Sequence, residues 1–185
     1  MFDLKGRRKY LNKKERKAFF NAVRKLGNKS EKAFCLLLYY TGCRISEALN
    51  LHPSSLDVSE GNVVIETLKR RKKGVFRSIP IPNDLLRLLI SACKNLDASE
   101  KIWPFSRTTG YRLVKSCMRA ACIDGAMASP KGLRHAFAVA CIQKGIPLTV
   151  IKTWMGHARL ETTAIYLNVT GQEERTLAKR LWKRD

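Results

Sequence analysis

Three short stretches of this 185-residue chain contain side chains that suit chemistry on a phosphate group. The first contains Arg44, the second Arg134, and the third places Tyr166 nine residues after His157. An arginine guanidinium stays charged and matches two phosphate oxygens at once, and a tyrosine hydroxyl can act as a nucleophile. Taken singly, each residue has a plainer explanation, because surface arginines pair with acids, tyrosines pack, and a histidine at a helix end complements the helix dipole.

Together, the three stretches resemble the motifs of tyrosine recombinases, the phage integrase family. Tyr40–Leu49 (YTGCRISEAL) is similar to the family's first arginine motif, and Gly132–Ala138 (GLRHAFA) is similar to its second. Met155–Ala158 (MGHA), followed by Thr162–Tyr166 (TTAIY), is similar to its histidine and its nucleophilic tyrosine. The motifs stand in the family's order, with a basic hairpin between the arginines, and the resemblance covers about residues 12–183. One such motif is weak, but three in register indicate the family specifically.

The resemblance implies DNA strand exchange without metal or ATP. Tyr166 would attack the scissile phosphate, giving a 3′-phosphotyrosine and a free 5′-hydroxyl that can attack back on the same or another duplex. Arg44 and Arg134 would clamp the phosphate and stabilise the charge on its non-bridging oxygens in the transition state. His157 would hydrogen-bond the phosphate or assist the proton on Tyr166. No cofactor is expected, and the histidines and cysteines lack metal-ligand spacing.

A lysine of the basic hairpin would donate a proton to the 5′-oxygen leaving group. Counting forward from Val63 favours Lys69, whereas counting back from Arg77 favours Lys72, because this hairpin is longer than in many relatives. We prefer Lys69, which directly follows the regular strand. Other basic residues of the hairpin and of the N-terminus are expected to bind DNA: Arg70, Arg71, Lys72, Lys73, Arg7 and Arg8.

Residues beside the two arginines are expected to support the site. Glu47 is predicted to orient Arg44, and His135 to pack against the site rather than react. Many family members carry a histidine three residues before the second arginine, where this chain has Lys131. A lysine can contact a phosphate but is a poorer general base at neutral pH, which shifts the expected proton path toward His157.

The charge of the chain favours a nucleic-acid partner. Thirty-six lysines and arginines face fifteen acids, a net charge of +21, and such a field attracts polyanions. The basic residues are spread along the chain, which argues against a membrane-bound helix, and the basic N-terminus is not followed by a signal-peptide core. A cytoplasmic location is therefore expected. The resemblance implies double-stranded DNA as partner, bound by a homotetramer on paired sites.

The elements expected to position these residues are mainly helical with a small antiparallel sheet, an α+β fold like the tyrosine recombinase catalytic domain. Asn12 is predicted to cap the first helix with Glu15 as its capping-box partner, and Ser30 to cap the second. Residues 63–81 are typical of a β-hairpin whose second strand, ending at Pro80, lies at a sheet edge. Further helices are predicted over 44–49, 83–93, 106–121, 129–144, 147–155, 161–167 and 171–183.

We predict a basic N-terminal arm over residues 1–11 and a catalytic domain over 12–185, without the separate N-terminal core-binding domain of typical relatives. Two other functions stay open. A type IB topoisomerase uses a similar residue set, although the short chain and the TTAIY stretch favour a recombinase. A DNA-binding regulator that kept the fold but lost the reaction is favoured by the missing domain and Lys131, and opposed by the four intact residues of the three motifs.

Overall fold

The computed structural model describes residues 6, 8–68 and 74–167. The fold is mainly helical with a small antiparallel sheet, as predicted. The elements are α1 (Lys13–Arg24), α2 (Lys29–Thr41), α3 (Ile45–Ala48), a 3-10 turn (Pro53–Ser55), β1 (Leu56–Asp57), β2 (Asn62–Glu66), β3 (Phe76–Pro80), α4 (Asn83–Cys93), α5 (Arg107–Ala120), α6 (Pro130–Gln143), α7 (Leu148–Met155) and α8 (Glu161–Ala164). The helix predicted over 171–183 lies outside the described residues.

The two N-terminal helices are started by asparagines. At α1 the predicted capping box is present, because the Asn12 side chain accepts from the Glu15 N–H at 2.8 Å and the Glu15 carboxylate accepts from the Asn12 N–H at 2.7 Å. At α2 the prediction of Ser30 as the cap was wrong. The Asn28 side chain accepts from the N–H groups of Ser30 and Glu31, which are free donors of the first turn. Ser30 therefore lies inside the helix and Asn28 is its cap.

The sheet has the order β1-β2-β3, and both strand pairs are antiparallel. The predicted hairpin is the β2–β3 pair, in which Val63 faces Ile79 and Ile65 faces Arg77. Pro80 lies at the end of the edge strand β3, as predicted, where a residue without an N–H costs little. The strand β1 was not predicted from the sequence.

Helix α2 lies at the centre of the core and packs against α1, α4 and α6. Its residues 33–38 are all buried, and Phe34 meets Trp103 edge to face at 5.2 Å. A second buried cluster joins α6, α7 and the chain after α8, and it contains Tyr10, Phe137, Ala138, Val139, Cys141, Ile151, Met155 and Tyr166. Residues of the candidate site come from both clusters or stand next to their members, since Tyr166 belongs to the second cluster and Arg44 stands between Cys43 and Ile45 of the first.

The last residues of the predicted arm belong to the folded body. Leu11 is 1% exposed in the main core, and Tyr10 is 6% exposed in the cluster that contains Tyr166. Arg8 forms an ion pair with Glu15 at 2.8 Å and lies over the Tyr10 ring. The division of the chain at residue 11 stays a prediction, but Arg8, Tyr10 and Leu11 pack against residues of the predicted catalytic domain.

Gly42 ends α2 in a left-handed conformation that leaves little space for a side chain. Its φ is +60°, and an added Cβ would lie 2.5 Å from Cδ1 of Phe137. We expect Gly42→Ala to lower the free energy of unfolding by about 2–4 kcal/mol, from left-handed strain and overpacking together. Urea denaturation measures the change in the free energy of unfolding. Gly27→Ala is the matched control, because an added Cβ there meets nothing within 4 Å; equal losses in both variants would contradict the prediction.

Candidate active site

The first arginine motif turns on Gly42 and places Arg44 at the N-terminus of α3. The Arg44 N–H donates to Oε2 of Glu47 at 2.9 Å, and Nη1 of Arg44 donates to Oε1 of the same carboxylate at 2.7 Å. Glu47 is 0% exposed, whereas the Arg44 side chain is 29% exposed. The carboxylate therefore fixes a guanidinium that still reaches solvent, which is the contact that the predicted orienting role of Glu47 requires.

Glu47 has a second cationic partner that the sequence analysis did not assign to the site. Nη2 of Arg77, on β3, donates to Oε2 of Glu47 at 2.7 Å, and both side chains are buried. Burial alone would raise the pKa of the Glu47 carboxyl, but the charges of Arg77 and Arg44 outweigh it and hold that pKa below its usual value. Glu47 is therefore a buried anion at neutral pH.

Arg134 lies on α6 and connects the three motifs. Ser129 caps this helix, which was predicted over residues 129–144, and Pro130 occupies its first turn. The Arg134 guanidinium donates to the carbonyl oxygens of Gly42 at 2.6 Å and of Met155 at 2.5 Å. Burial, helped by the charge of Arg44, lowers the pKa of Arg134 to about 10, so the group stays protonated at neutral pH. Both arginines are thus fixed cations of one site.

His157 follows the left-handed Gly156 that ends α7. Its Nε2 lies 3.2 Å from Nη2 of Arg134, and its Nδ1 lies 2.9 Å from Oγ1 of Thr163. An arginine can only donate, so Nε2 accepts and the Nδ1 proton is donated to Thr163. Burial, followed by the charges of Arg134 and Arg44, lowers the pKa of His157 to about 4, and the imidazole is neutral at neutral pH.

Tyr166 is 2% exposed, and its hydroxyl contacts His135 rather than His157. The hydroxyl oxygen lies 2.9 Å from Nδ1 of His135, while the Tyr166 and His157 rings stack with centroids 6.4 Å apart. Burial raises the pKa of Tyr166 against the lowering effect of Arg134 and Arg44. Burial, then the charge of Lys131, lowers the pKa of His135 to about 4. A protonated hydroxyl and a neutral imidazole therefore share this bond.

The structure gives no direct contact between the remaining described residues of the prediction and the two arginines, His157 or Tyr166. Lys131 is exposed in the first turn of α6, and it acts on His135 only through its charge. Arg8 is engaged by Glu15. The hairpin residues Lys69 to Lys73, and Arg7, lie outside the described residues, so the choice between Lys69 and Lys72 stays a prediction. Two features of the site were not predicted from the sequence: the ion pair of Arg77 with Glu47, and the hydrogen bond between His135 and the Tyr166 hydroxyl.

The charges of the site do not cancel. Three guanidinium groups, those of Arg44, Arg77 and Arg134, act on one buried carboxylate, Glu47, beside two neutral imidazoles. Such an arrangement favours an anion at its exposed side, where Arg44 lies. Among the residues that the structure describes, no group of three side chains could hold a metal ion. Nor is any helix in that part of the chain long and apolar enough to cross a membrane.

The two histidines should make stability depend on pH. Both have a folded-state pKa of about 4, below the value of about 6.5 in an unfolded chain. The unfolded chain binds more protons between those values, so stability present above pH 6.5 is lost as the pH falls toward 4. We expect unfolding free energies at pH 5 to be lower than at pH 7.5, by at most about 2 kcal/mol per histidine. His135→Asn and His157→Asn should each flatten this slope; an unchanged slope would refute the assignment.

Comparisons with known proteins show what this chain is similar to in sequence. The profile of the phage integrase family matches residues 9–173. A tyrosine recombinase of Thermosipho africanus is 31% identical over 180 residues, 93% of this chain and 61% of that protein. The tyrosine recombinase XerA of Pyrococcus furiosus is 32% identical over 160 residues, 81% of this chain and 54% of that protein. The chain therefore spans between half and two thirds of the length of these curated relatives.

Solved structures share the fold. The XerA recombinase superposes with a TM-score of 0.79 at 24% identity, over 95% of this chain and 66% of that one. The catalytic domain of bacteriophage HP1 integrase superposes with a TM-score of 0.66 at 20% identity, over 92% of this chain and 93% of that one. The XerH recombinase bound to its difH substrate, before cleavage, gives 0.77 at 18% identity, over 98% of this chain and 60% of that one. The fold is the one predicted, that of the tyrosine recombinase catalytic domain.

Proposed function

Because this chain belongs to the phage integrase family, we propose that it is a site-specific DNA recombinase that breaks and rejoins double-stranded DNA through a covalent bond to Tyr166. One observation carries the proposal. Fixed guanidinium groups with uncancelled positive charge lie beside a tyrosine whose hydroxyl is hydrogen-bonded to a neutral histidine. A binding protein needs the cations but has no use for a tyrosine hydroxyl held in this way.

In the proposed reaction, the Tyr166 oxygen attacks the scissile phosphorus and the bond from phosphorus to the 5′-oxygen breaks. Arg44 and Arg134 stabilise the charge that builds on the non-bridging oxygens. The Gly42 and Met155 carbonyls hold the Arg134 guanidinium in place, so little reorganisation is needed when the charge develops. The 5′-oxygen receives its proton from the hairpin lysine, Lys69 in our preference.

The geometry gives the proton of Tyr166 a different acceptor from the one expected. Both ring nitrogens of His157 are engaged, by Arg134 and Thr163, whereas Nδ1 of His135 lies 2.9 Å from the hydroxyl oxygen. A pKa of about 4 makes His135 a weak base in the absence of DNA. A bound phosphodiester would bring negative charge beside the site, which favours the imidazolium and raises this pKa. We therefore propose His135 as the proton acceptor.

A groove beside α3 is suited to the DNA backbone next to the cleaved phosphate. The open groove has a volume of about 370 Å³, and its lining includes Asn50 and Ser46, which stands two positions after Arg44 in the chain. Lys101 and Arg107 form its basic side. Each phosphate contact of this kind steepens the salt dependence of binding, so affinity for DNA should fall sharply as salt rises.

Membership of the phage integrase family also suggests a partner and an assembly for this chain. XerH and the Tn1549 transposon integrase were solved in complex with DNA, which supports a DNA partner for this chain. We propose that four copies act on paired DNA sites, in the cytoplasm. The predicted arm over residues 1–11 would help to hold the DNA.

Covalent trapping tests the proposed function. The protein is mixed with supercoiled and nicked DNA from its own genomic surroundings and quenched in detergent. The DNA is then digested, and the protein is searched by mass spectrometry for a nucleotide adduct on Tyr166. An adduct, together with products joined between different duplexes, supports a recombinase; relaxed plasmid without joined duplexes indicates a strand-passage enzyme. Tight DNA binding without any adduct indicates a DNA-binding regulator and contradicts the proposal.

A further inference from the structure

Arg77 is a buried cation that takes no part in the steps of the proposed reaction. It lies on β3 opposite Ile65 and is 5% exposed. Its guanidinium makes three directed hydrogen bonds: Nε to the Trp154 carbonyl at 2.7 Å, Nη1 to Oγ1 of Thr67 at 2.8 Å, and Nη2 to Oε2 of Glu47 at 2.7 Å. An arginine in a strand position that faces the core is costly unless its charge is paired and its donors find partners, and here an ion pair and two further hydrogen bonds provide them.

The three partners of Arg77 belong to three different parts of the site. Glu47 holds the Arg44 guanidinium through its other carboxylate oxygen. Thr67 directly follows β2, on the approach to the hairpin that carries the expected lysine. Trp154 lies in the last turn of α7, two residues before Gly156, where an added Cβ would lie 3.0 Å from Nη1 of Arg77. The guanidinium therefore packs under the turn that presents His157.

We propose that Arg77 is a positioning residue for strand cleavage, and this inference rests on the proposed function. It sets the direction of Arg44 through Glu47, and it fixes the hairpin and the His157 turn relative to that arginine. We place Arg77 behind the phosphate-binding surface, because its side chain is 3% exposed and three of its N–H donors are directed at Trp154, Thr67 and Glu47 inside the protein. Its effect on the reaction passes through the groups it holds.

The chemistry of the three contacts requires an arginine at position 77. A lysine carries a compact charge on a flexible stem and cannot place three donors along the edges of one plane. A methionine of similar length would fill the space but leave the Glu47 carboxylate with a single cation. The Arg44 guanidinium would then be the one charged group hydrogen-bonded to a buried anion and would be drawn toward it, away from a phosphate. Misplacement of a catalytic group by about 1 Å costs about 100-fold in rate.

The test compares Arg77→Met and Arg77→Lys with Ile79→Ala. Ile79 is the next core-facing residue of β3, 1% exposed, so its truncation destabilises the same strand without touching the polar contacts. Each variant is studied below its unfolding transition, with the folded fraction measured by urea denaturation. Single-turnover cleavage at saturating DNA gives the rate, and a titration gives the affinity for DNA.

We expect Arg77→Met to lower the cleavage rate by about 10- to 100-fold with DNA affinity within about threefold of wild type. Arg77→Lys should recover part of the rate, and Ile79→Ala should keep the wild-type rate. In a Glu47→Gln background, Arg77→Met should lower the rate by a smaller factor than in the wild-type background, because the part of its effect that passes through Glu47 is already lost. Rates that follow only the folded fraction, with equal losses for Arg77→Met and Ile79→Ala, would overturn the proposal.

A second measurement does not depend on strand cleavage. The side-chain N–H signals of Arg44, assigned with an Arg44→Lys variant in proton–nitrogen spectra, report the contact with Glu47. We expect these signals to shift in Arg77→Met and to stay in place in Ile79→Ala. Unchanged signals in Arg77→Met would overturn the positioning role even if the wild-type protein gave no DNA adduct. A missing adduct with shifted signals would instead contradict only the proposed recombinase function.

Discussion

We expect the Tyr166→Phe variant to bind DNA as tightly as the wild-type protein and to form no covalent adduct with it. Phenylalanine keeps the ring that packs in the cluster of α6 and α7, so the fold around it stays intact. The variant loses the nucleophile and one hydrogen bond to His135, and the latter costs about 0.5–1.5 kcal/mol of stability. Detergent-resistant complexes on labelled DNA measure the adduct, and a titration in the same buffer measures the affinity.

Tyr10→Phe is the matched control for this prediction. Tyr10 is a buried tyrosine of the same cluster and is 6% exposed, against 2% for Tyr166. Its variant should form the adduct at the wild-type level. An adduct that persists in Tyr166→Phe would show that another residue attacks the phosphate, and mass spectrometry would identify it. A joint loss of adduct and DNA affinity would mean that the Tyr166 hydroxyl holds the DNA-binding surface together.

Local parts of this structure could be predicted from the sequence because their partners lie within one helical turn. The Asn12–Glu15 capping box and the contact of Arg44 with Glu47 each span three residues, so residue type and spacing define them. The cap of α2 was predicted wrongly because Asn28 and Ser30 are both good capping residues two positions apart. Residue type and spacing alone do not show which of them is the cap. The two-residue strand β1 is too short to show an alternating pattern.

The contacts that complete the site join residues far apart in the chain. His135 meets Tyr166 across 31 positions, and Arg77 meets Trp154 across 77, so no spacing rule relates them. A signal for Arg77 was nevertheless present in the sequence. The strand from Phe76 to Pro80 alternates, and its core-facing positions are Arg77 and Ile79, so a charged residue occupies a position where an apolar one is expected. An inward-facing arginine of this kind predicts a buried acidic partner, here Glu47.

Arg134→Lys should lower the rate of strand cleavage by about 100- to 1000-fold, the usual effect of removing one fixed donor to a developing anion. A lysine ammonium cannot hold the Gly42 and Met155 carbonyls in the fork geometry of a guanidinium and also reach a phosphate. The same change leaves buried carbonyl oxygens without their donor, and we expect it to lower the free energy of unfolding by about 2–4 kcal/mol. Single-turnover cleavage and urea denaturation measure the two effects.

Arg44→Lys separates the chemical effect from the structural one. The Arg44 side chain is 29% exposed, and Glu47 would keep its ion pair with Arg77, so the expected loss of stability is smaller, about 1 kcal/mol. Its loss of rate should nevertheless match that of Arg134→Lys, because both guanidinium groups are expected to contact the same phosphate. If Arg44→Lys kept the wild-type rate, Glu47 and Arg77 would form a structural ion-pair network and Arg134 alone would bind the phosphate. If both variants lost rate only as far as they lost stability, the guanidinium cluster would be part of the core and the phosphate would bind elsewhere.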